Sequence, residues 1–264
     1  MQNVSQSESL KQAQVMIYDG RFSDALNIVT SVLETAPDHI DALYMKAVCH
    51  RYTGDDDKAL HTLRLLKSHA PDFGRALQEE GHLFRKQSKL KKAITAFRLA
   101  CRANPALVSS WQALSELLAQ DNQMAEAQQA AAQAARLQAL PKELLAVSNF
   151  LYEDKLLKAE KLCRAFLKKN TKHVEGMRLL AEIGTRFGSL DEAEFLLESA
   201  LAFDPGNTQI RLDYIAVLRK RQRFDRALAE AKGLYDRDPD NPVFQSHYAI
   251  ESLQAGHYAR AGQL

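Results

Sequence analysis

Residues 174–207 read VEGMRLLAEIGTRFGSLDEAEFLLESALAFDPGN, and the placing of small, glycine, bulky, alanine and proline positions in this stretch decides the fold. Ala193 is the fixed point. Leu190 precedes it by three residues, Gly188 by five and Ala181 by twelve, while Pro205 follows it by twelve. Physically this describes two antiparallel helices, A and B, joined by a short turn. Gly188 supplies the turn, Ala181 and Ala193 let the helices approach, Leu190 fills the corner, and Pro205, which cannot continue a helix, closes the second one. Leu197 and Ala200, four and seven residues beyond the anchor, keep helical spacing and should face neighbouring helices.

The same frame runs along the chain. The anchor recurs as Ala25, Ala59, Ala93, Ala127, Ala159, Ala193, Ala227 and Ala261, in steps of 34 residues with a single step of 32. Five of the seven prolines, Pro37, Pro71, Pro105, Pro205 and Pro239, lie twelve residues after an anchor. The corner position holds Phe22, Leu90, Met124, Leu156, Leu190, Phe224 and Tyr258, and only Asp56 breaks that series. Glycine marks the turn at Gly20, Gly54, Gly188 and Gly256, and small residues face the anchor at Ala13, Ala47, Gly81, Ser115, Ala181 and Ala249. A fixed period of this length is the signature of a stacked repeat architecture.

These residues resemble the tetratricopeptide repeat. The resemblance implies an all-α fold, a right-handed α-solenoid (superhelix) of helix-turn-helix units spanning 1–264. Seven full repeats fall at 6–39, 40–73, 74–107, 108–139, 140–173, 174–207 and 208–241, and a truncated eighth at 242–264. The eighth unit stops one turn into its second helix, which leaves an apolar face around Tyr248, Ala249, Ile250 and Leu253 uncapped and open to self-association, as in a piece of a longer chain. Repeat four has an Ala- and Gln-rich second helix, AEAQQAAAQAARLQ, no closing proline, and two residues fewer. Either it packs closely through alanine or it is a hinge between repeats 1–4 and 5–8.

A narrower resemblance covers Leu144 to Ala259, with LLAVSNFLYEDKLLKAEKLCRAFLKKN and IRLDYIAVLRKRQRFDRALAEA as its most telling runs. This stretch is similar to the N-terminal repeat region of bacterial proteins that join a tetratricopeptide array to a sulfotransferase domain. That resemblance implies a catalytic domain outside these 264 residues and carries no catalytic residue into them.

Composition narrows the function. Thirty-five Lys and Arg against 33 Asp and Glu leave +2, too little to attract nucleic acid or an anionic membrane, and nucleic acid is not an expected partner. Hydrophobic residues at 46% and charged residues at 26% are those of a folded globular chain. Cys49, Cys101 and Cys163 lack metal-ligand spacing and read as buried thiols, and the start MQNVSQSESL has neither the basic nor the apolar part of a signal peptide. A cytoplasmic protein without cofactor or metal is expected. Eight dispersed histidines form no HExxH pair, no GxxxxGK[ST] or GxSxG motif occurs, and Asp55, Asp56 and Asp57 fit a solvated turn that caps a helix. No enzymatic activity is expected of this chain.

The late positions of each first helix carry the binding expectation. In register they give Arg51 and Tyr52, Arg85 and Lys86, Tyr152, Arg186, and Arg219 and Lys220, with Tyr18 at the equivalent place in repeat one and no acidic residue among them. Lys89, Lys91, Lys92, Arg221 and Arg223 continue the charge into the turns. Cations in a last helical turn are favoured by the helix dipole alone, but Arg interleaved with Tyr is also the pairing of binding hot spots. His82 and Arg178 lie earlier on the same face, beside Glu79, Glu116, Glu175, Glu182, Asp213 and Arg75, so the floor is mixed in sign. Two specialised modes known in the family are unsupported: Leu10 and Gln14 occupy the first positions of a carboxylate clamp, and Lys11, Met45, Glu79 and Ala113 open the series where an asparagine ladder would run. The expected role is a scaffold that binds a protein or peptide segment in a groove lined by helices A. The alternative is a substrate-recruiting region of a sulfotransferase.

Overall fold

The computed structural model describes residues 2–258. Among these residues it is all-α, with fifteen helices and no strand. Helix α1 (Gln2–Tyr18) pairs with α2 (Phe22–Thr35), α3 (Ile40–Thr53) with α4 (Asp56–His69), α5 (Gly74–Lys86) with α6 (Leu90–Ala103), and α7 (Val108–Gln120) with α8 (Met124–Gln138). Next come α9 (Lys142–Tyr152) with α10 (Leu156–Lys169), α11 (Val174–Phe187) with α12 (Leu190–Phe203), and α13 (Thr208–Lys220) with α14 (Phe224–Arg237), followed by α15 (Pro242–Gln254). The odd-numbered helices are the A helices. The chain divides into two compact units at Leu140/Pro141, each an α-solenoid of stacked helix pairs.

The anchors sit where close packing demands them. Ala25, Ala59, Ala93, Ala159, Ala193 and Ala227 are wholly buried, and Ala13, Ala47 and Ala181 are buried at the facing positions. In α5 the facing residue is Gly81, where a β-carbon would lie 2.9 Å from the ring of the buried Phe97. Ser115 uses its facing position differently, its Oγ donating to the Ala127 carbonyl at 2.9 Å. Val147 and Ile215 fill the facing position in α9 and α13, so the small pair is not uniform.

All eight A-to-B turns share one backbone form, although only four carry glycine. Gly20, Gly54, Gly188 and Gly256 have φ between 75° and 87°, and Ser88, Asn122, Asp154 and Gln222 hold the same left-handed region at 54° to 61°. In every turn the next residue donates its N–H to a carbonyl five residues back, as in Arg21 to Met16, Lys89 to Phe84 and Arg223 to Leu218. This closure caps the helix whichever side chain is present. A β-carbon in that region costs about 1 kcal/mol. Gln222→Gly should therefore raise the thermal unfolding midpoint, by roughly 0.5 to 1 kcal/mol of stability. An unchanged or lowered midpoint would mean that the turn does not strain Gln222.

Helix starts are capped locally. The imidazoles of His39 and His173 accept from the N–H groups of Ala42 and Gly176, and the Asn207 and Asn241 side chains accept from Ile210 and Val243. Such caps satisfy donors that no helix can satisfy internally. Of the Asp55, Asp56 and Asp57 run expected to cap a helix, Asp55 holds the N-cap position of α4 but makes no side-chain cap bond, because its carboxylate is drawn to Lys58 at 3.1 Å, with His50 facing it at 3.6 Å. Helix α8 buries Ala127, Ala130 and Ala134, packing through alanine as its sequence requires, and the division between the units follows it directly.

The end of the described chain differs in part from expectation. Tyr248 is buried against Tyr235, ring centres 5.1 Å apart, because α15 packs back onto α14. Val243, Ile250 and Leu253 remain exposed, while the polar Glu251 and Ser252 are fully buried. Ala261 lies outside the described residues. Among the described residues no helix is long and apolar enough to cross a membrane.

Candidate binding face on helices A

Within each unit several consecutive A helices lie against one another, α1 with α3, α3 with α5, α9 with α11 and α11 with α13. Side chains at the end of one A helix can therefore reach the next. In the first unit Arg51 crosses from α3 to the buried carboxylate of Glu79 on α5. Burial works against the Arg51 charge, but Glu79 outweighs it and holds the guanidinium protonated. The same guanidinium lies 4.1 Å from the centre of the Tyr52 ring, and that ring stacks on Phe22 at 4.3 Å with the planes 1° apart. Tyr52 is nevertheless 55% exposed, so it presents a fixed aromatic surface to solvent. Arg85 donates to Glu116 on α7 at 3.2 Å, and Lys86 reaches Asp56 at the start of α4 at 2.8 Å. His82 sits edge-on to Phe97 at 5.1 Å. Burial first, then the charges of Arg51 and Arg85, push its pKa down to about 4, so the ring is neutral at pH 7.

In the second unit Arg178 is the hub. It donates twice to Glu175 at 2.8 Å and once to Asp213 on α13 at 3.1 Å, with Glu182 at 3.7 Å. Arg186 donates to Glu182 and, through its other terminal nitrogen, to the Leu151 carbonyl at the end of α9, each at 2.8 Å. Tyr152 stands beside these charges, and burial followed by the Glu182 carboxylate raises its phenol pKa. Between α11 and α13 a cleft of about 140 Å³ opens over Leu197 of α12. Its floor is Ala181, Leu197, Ala216 and Val217, and its rim is Arg178, Glu182, Thr185, Asp213 and Lys220. Arg219, next to Lys220 in the chain, turns to the fully buried Glu251 on α15 at 3.0 Å.

The cations thus stand at the ends of the A helices, apart from Arg178 in the second turn of α11, but they do not form a bare positive edge. Arg51, Lys86, Arg85, Arg178, Arg186 and Arg219 each hold an acceptor, mostly on a neighbouring repeat. Arg51, Tyr52, His82, Arg85 and Lys86 fall in the first unit, and Tyr152, Arg178, Arg186, Arg219 and Lys220 in the second. Arg221 and Arg223, expected to extend the positive edge, converge with Arg226 on the buried Glu194 of α12. Sequence reasoning missed Glu194 and Glu251. For Glu251 the signal was an acid in a mostly apolar column, matching Leu83, Leu117, Ile183 and Val217 in register. Glu194 shares its position after the anchor with Leu26, Leu60 and Ile94 but also with Gln128 and Glu160, so that position alone gave no signal. Among the described residues no group of three or more His, Cys, Asp or Glu is arranged to hold a metal ion.

Family models described as tetratricopeptide repeat match residues 16–79 and 185–249, residues 144–208, and residues 74–107. The stretch between them, 108–143, contains the departing repeat four. DnaJ homolog subfamily C member 3 of Homo sapiens and of Bos taurus is 28% identical over 119 residues, covering 45% of this chain and 24% of the relative. The chain therefore spans about a quarter of the curated relatives it matches. Among solved structures, a tetratricopeptide repeat protein from Parabacteroides merdae aligns over 94% of this chain and 98% of its own, at TM-score 0.44 and 12% identity. A structure of Naa15/Naa10 bound to HypK-THB aligns over 97% and 41%, at TM-score 0.46 and 18% identity. With its anchors, turns and helix pairs in the repeat frame and the family models covering most of its length, the chain belongs to the tetratricopeptide repeat family.

Proposed function

We propose that the chain is a non-enzymatic scaffold that holds a protein or peptide segment against the faces of its A helices. The observation that carries this reading is the Arg51–Tyr52 pair. An exposed tyrosine is stacked on Phe22 and flanked by an arginine anchored to a buried carboxylate, so both groups are oriented before any partner arrives. Fixing such side chains in advance lowers the entropy cost of binding, and Tyr and Arg are the residues that dominate interface energetics. The family's general role as a protein-interaction scaffold supports the reading. The finer expectation, a recruiting region of a sulfotransferase, has no support in the relatives named above. Self-association through α15 belongs to the proposal as a second surface, since Val243, Ile250 and Leu253 stand exposed there.

The test uses Tyr52→Ala with peptides selected from a displayed random library on the intact chain. Loss of the aromatic stack costs about 0.5 to 1.5 kcal/mol, so the variant folds, with a slightly lower unfolding midpoint. Binding of selected peptides should weaken by about tenfold. Unfolding at ambient temperature would make Tyr52 a structural residue, and unchanged affinity would remove it from the binding face.

A further inference from the structure

We infer that the cleft between α11 and α13 receives one apolar side chain of an internal peptide segment whose neighbouring Asp or Glu binds Lys220. This rests on the reading of the A helices as a peptide-binding face. The volume sets the size of the occupant. At about 140 Å³ the cleft matches a single leucine- or phenyl-sized group, and its floor of Ala181, Leu197, Ala216 and Val217 offers that group only apolar contacts.

The rim sets the polar chemistry. Asp213 is already served by Arg178 and Gln209, and Glu182 by Arg186 and Arg178, so the rim carboxylates have their donors. Thr185 donates to the Ala181 carbonyl. Lys220 is exposed, and neither a hydrogen bond nor an ion pair joins it to another described residue. The capacity left open at the rim is therefore an ammonium donor, which calls for an anionic acceptor. Arg178, Arg186 and Lys220 carry three positive charges against three negative ones on Glu175, Glu182 and Asp213, so the local formal charge is zero. A neutral rim with one open ammonium selects a single carboxylate beside the apolar anchor and gives no advantage to a polyacidic segment. A chain terminus, whose carboxylate is usually gripped by several donors, finds one here.

The experiment is methyl NMR on the intact chain, labelled at Ala, Leu and Val, titrated with the capped peptide acetyl-Gly-Leu-Glu-Gly-amide. Resonances of Ala181, Leu197, Ala216 and Val217 should shift together and saturate in the millimolar range. The Gln analogue should bind about threefold more weakly, the scale of one exposed charge pair. Lys220→Gln should make the two peptides equal, while Ala216→Leu, which fills the cleft, should abolish the shifts. Lys220 is exposed, so that variant tests the inference even if Ala216→Leu perturbs folding. Three results would overturn the inference: still cleft methyls up to peptide solubility, equal binding of the Glu and Gln peptides by the wild type, or tighter binding of acetyl-Gly-Gly-Leu with a free terminal carboxylate. If the cleft methyls stay still while library-selected peptides still lose affinity on Tyr52→Ala, this inference fails and the broader proposal stands.

Discussion

Ala93→Leu should lower the unfolding midpoint of the first unit and shift the emission of Trp111 before the rest of the chain melts. Ala93 has no exposed surface and belongs to the cluster formed by Ile94, Phe97, Cys101, Leu114 and Leu117, with Trp111 packed at its edge. Its facing residue is Gly81, already closed off by the Phe97 ring, so three added carbons have nowhere to go. Overpacking of this kind costs about 1 to 3 kcal/mol. Each repeat is stabilised chiefly by its neighbours, so the loss should spread through α5 to α8 instead of staying at one contact. Trp111 is the only tryptophan, and its indole donates to the Pro105 carbonyl at 2.9 Å, which makes its emission a direct report on this region. Leu99→Ala, on the exposed side of the same helix, serves as the control and should change little. Equal midpoints for Ala93→Leu and the wild type would mean that the repeat frame is misplaced.

Glu194→Gln should destabilise the second unit by roughly 2 to 4 kcal/mol. The Glu194 carboxylate is buried and accepts from Arg223 at 3.0 Å, Arg226 at 2.8 Å and Arg221, which together join α12 to α14 and to the turn before it. Glutamine preserves the shape and removes the charge, leaving three guanidinium groups around a neutral amide. Removing one partner from a buried charge network is costly because the others lose their compensation. Arg226 keeps Glu198 and the Tyr214 hydroxyl, Arg221 keeps Asp191, and Arg223 and Arg226 are about half exposed, so the figure lies at the lower part of the usual range. Thermal unfolding followed by circular dichroism reads the effect, and at this chain length the midpoint should fall by about 5 to 15 °C. A change below about 0.5 kcal/mol would show that water already compensates the arginines.

The contrast between these two residues shows what the sequence made legible. Ala93 is read from a period, because every unit needs the same close contact and solves it with the same residue. The turn was legible as far as Gly20, Gly54, Gly188 and Gly256, yet Ser88, Asn122, Asp154 and Gln222 adopt the same left-handed backbone. Backbone closure enforces that conformation, and the residue type only sets its cost. Glu251 breaks a mostly apolar column and Glu194 sits where Leu26, Ile94, Gln128 and Glu160 also occur, so whether such an acid is buried or turned outward depends on whether an arginine reaches it.

The ion pairs of the A helices were less legible still. Arg51 with Glu79 spans 28 residues, Arg85 with Glu116 spans 31, Arg219 with Glu251 spans 32 and Arg178 with Asp213 spans 35. No single spacing could reveal them, because a flexible arginine can meet any of several positions on the next helix. For the same reason Arg219 and Lys220, adjacent and alike in sequence, separate in structure, one held by Glu251 and the other left open on the rim of the cleft.

The claim that the A helices form the binding face is most directly tested by hydrogen exchange on the intact chain, with and without a peptide selected from a random displayed library. The account predicts slowed exchange in A helices, in α3 and α5 for a peptide held at Tyr52 or in α11 and α13 for one held at the cleft, with α4, α6 and α14 unchanged. Protection concentrated on those B helices would contradict it.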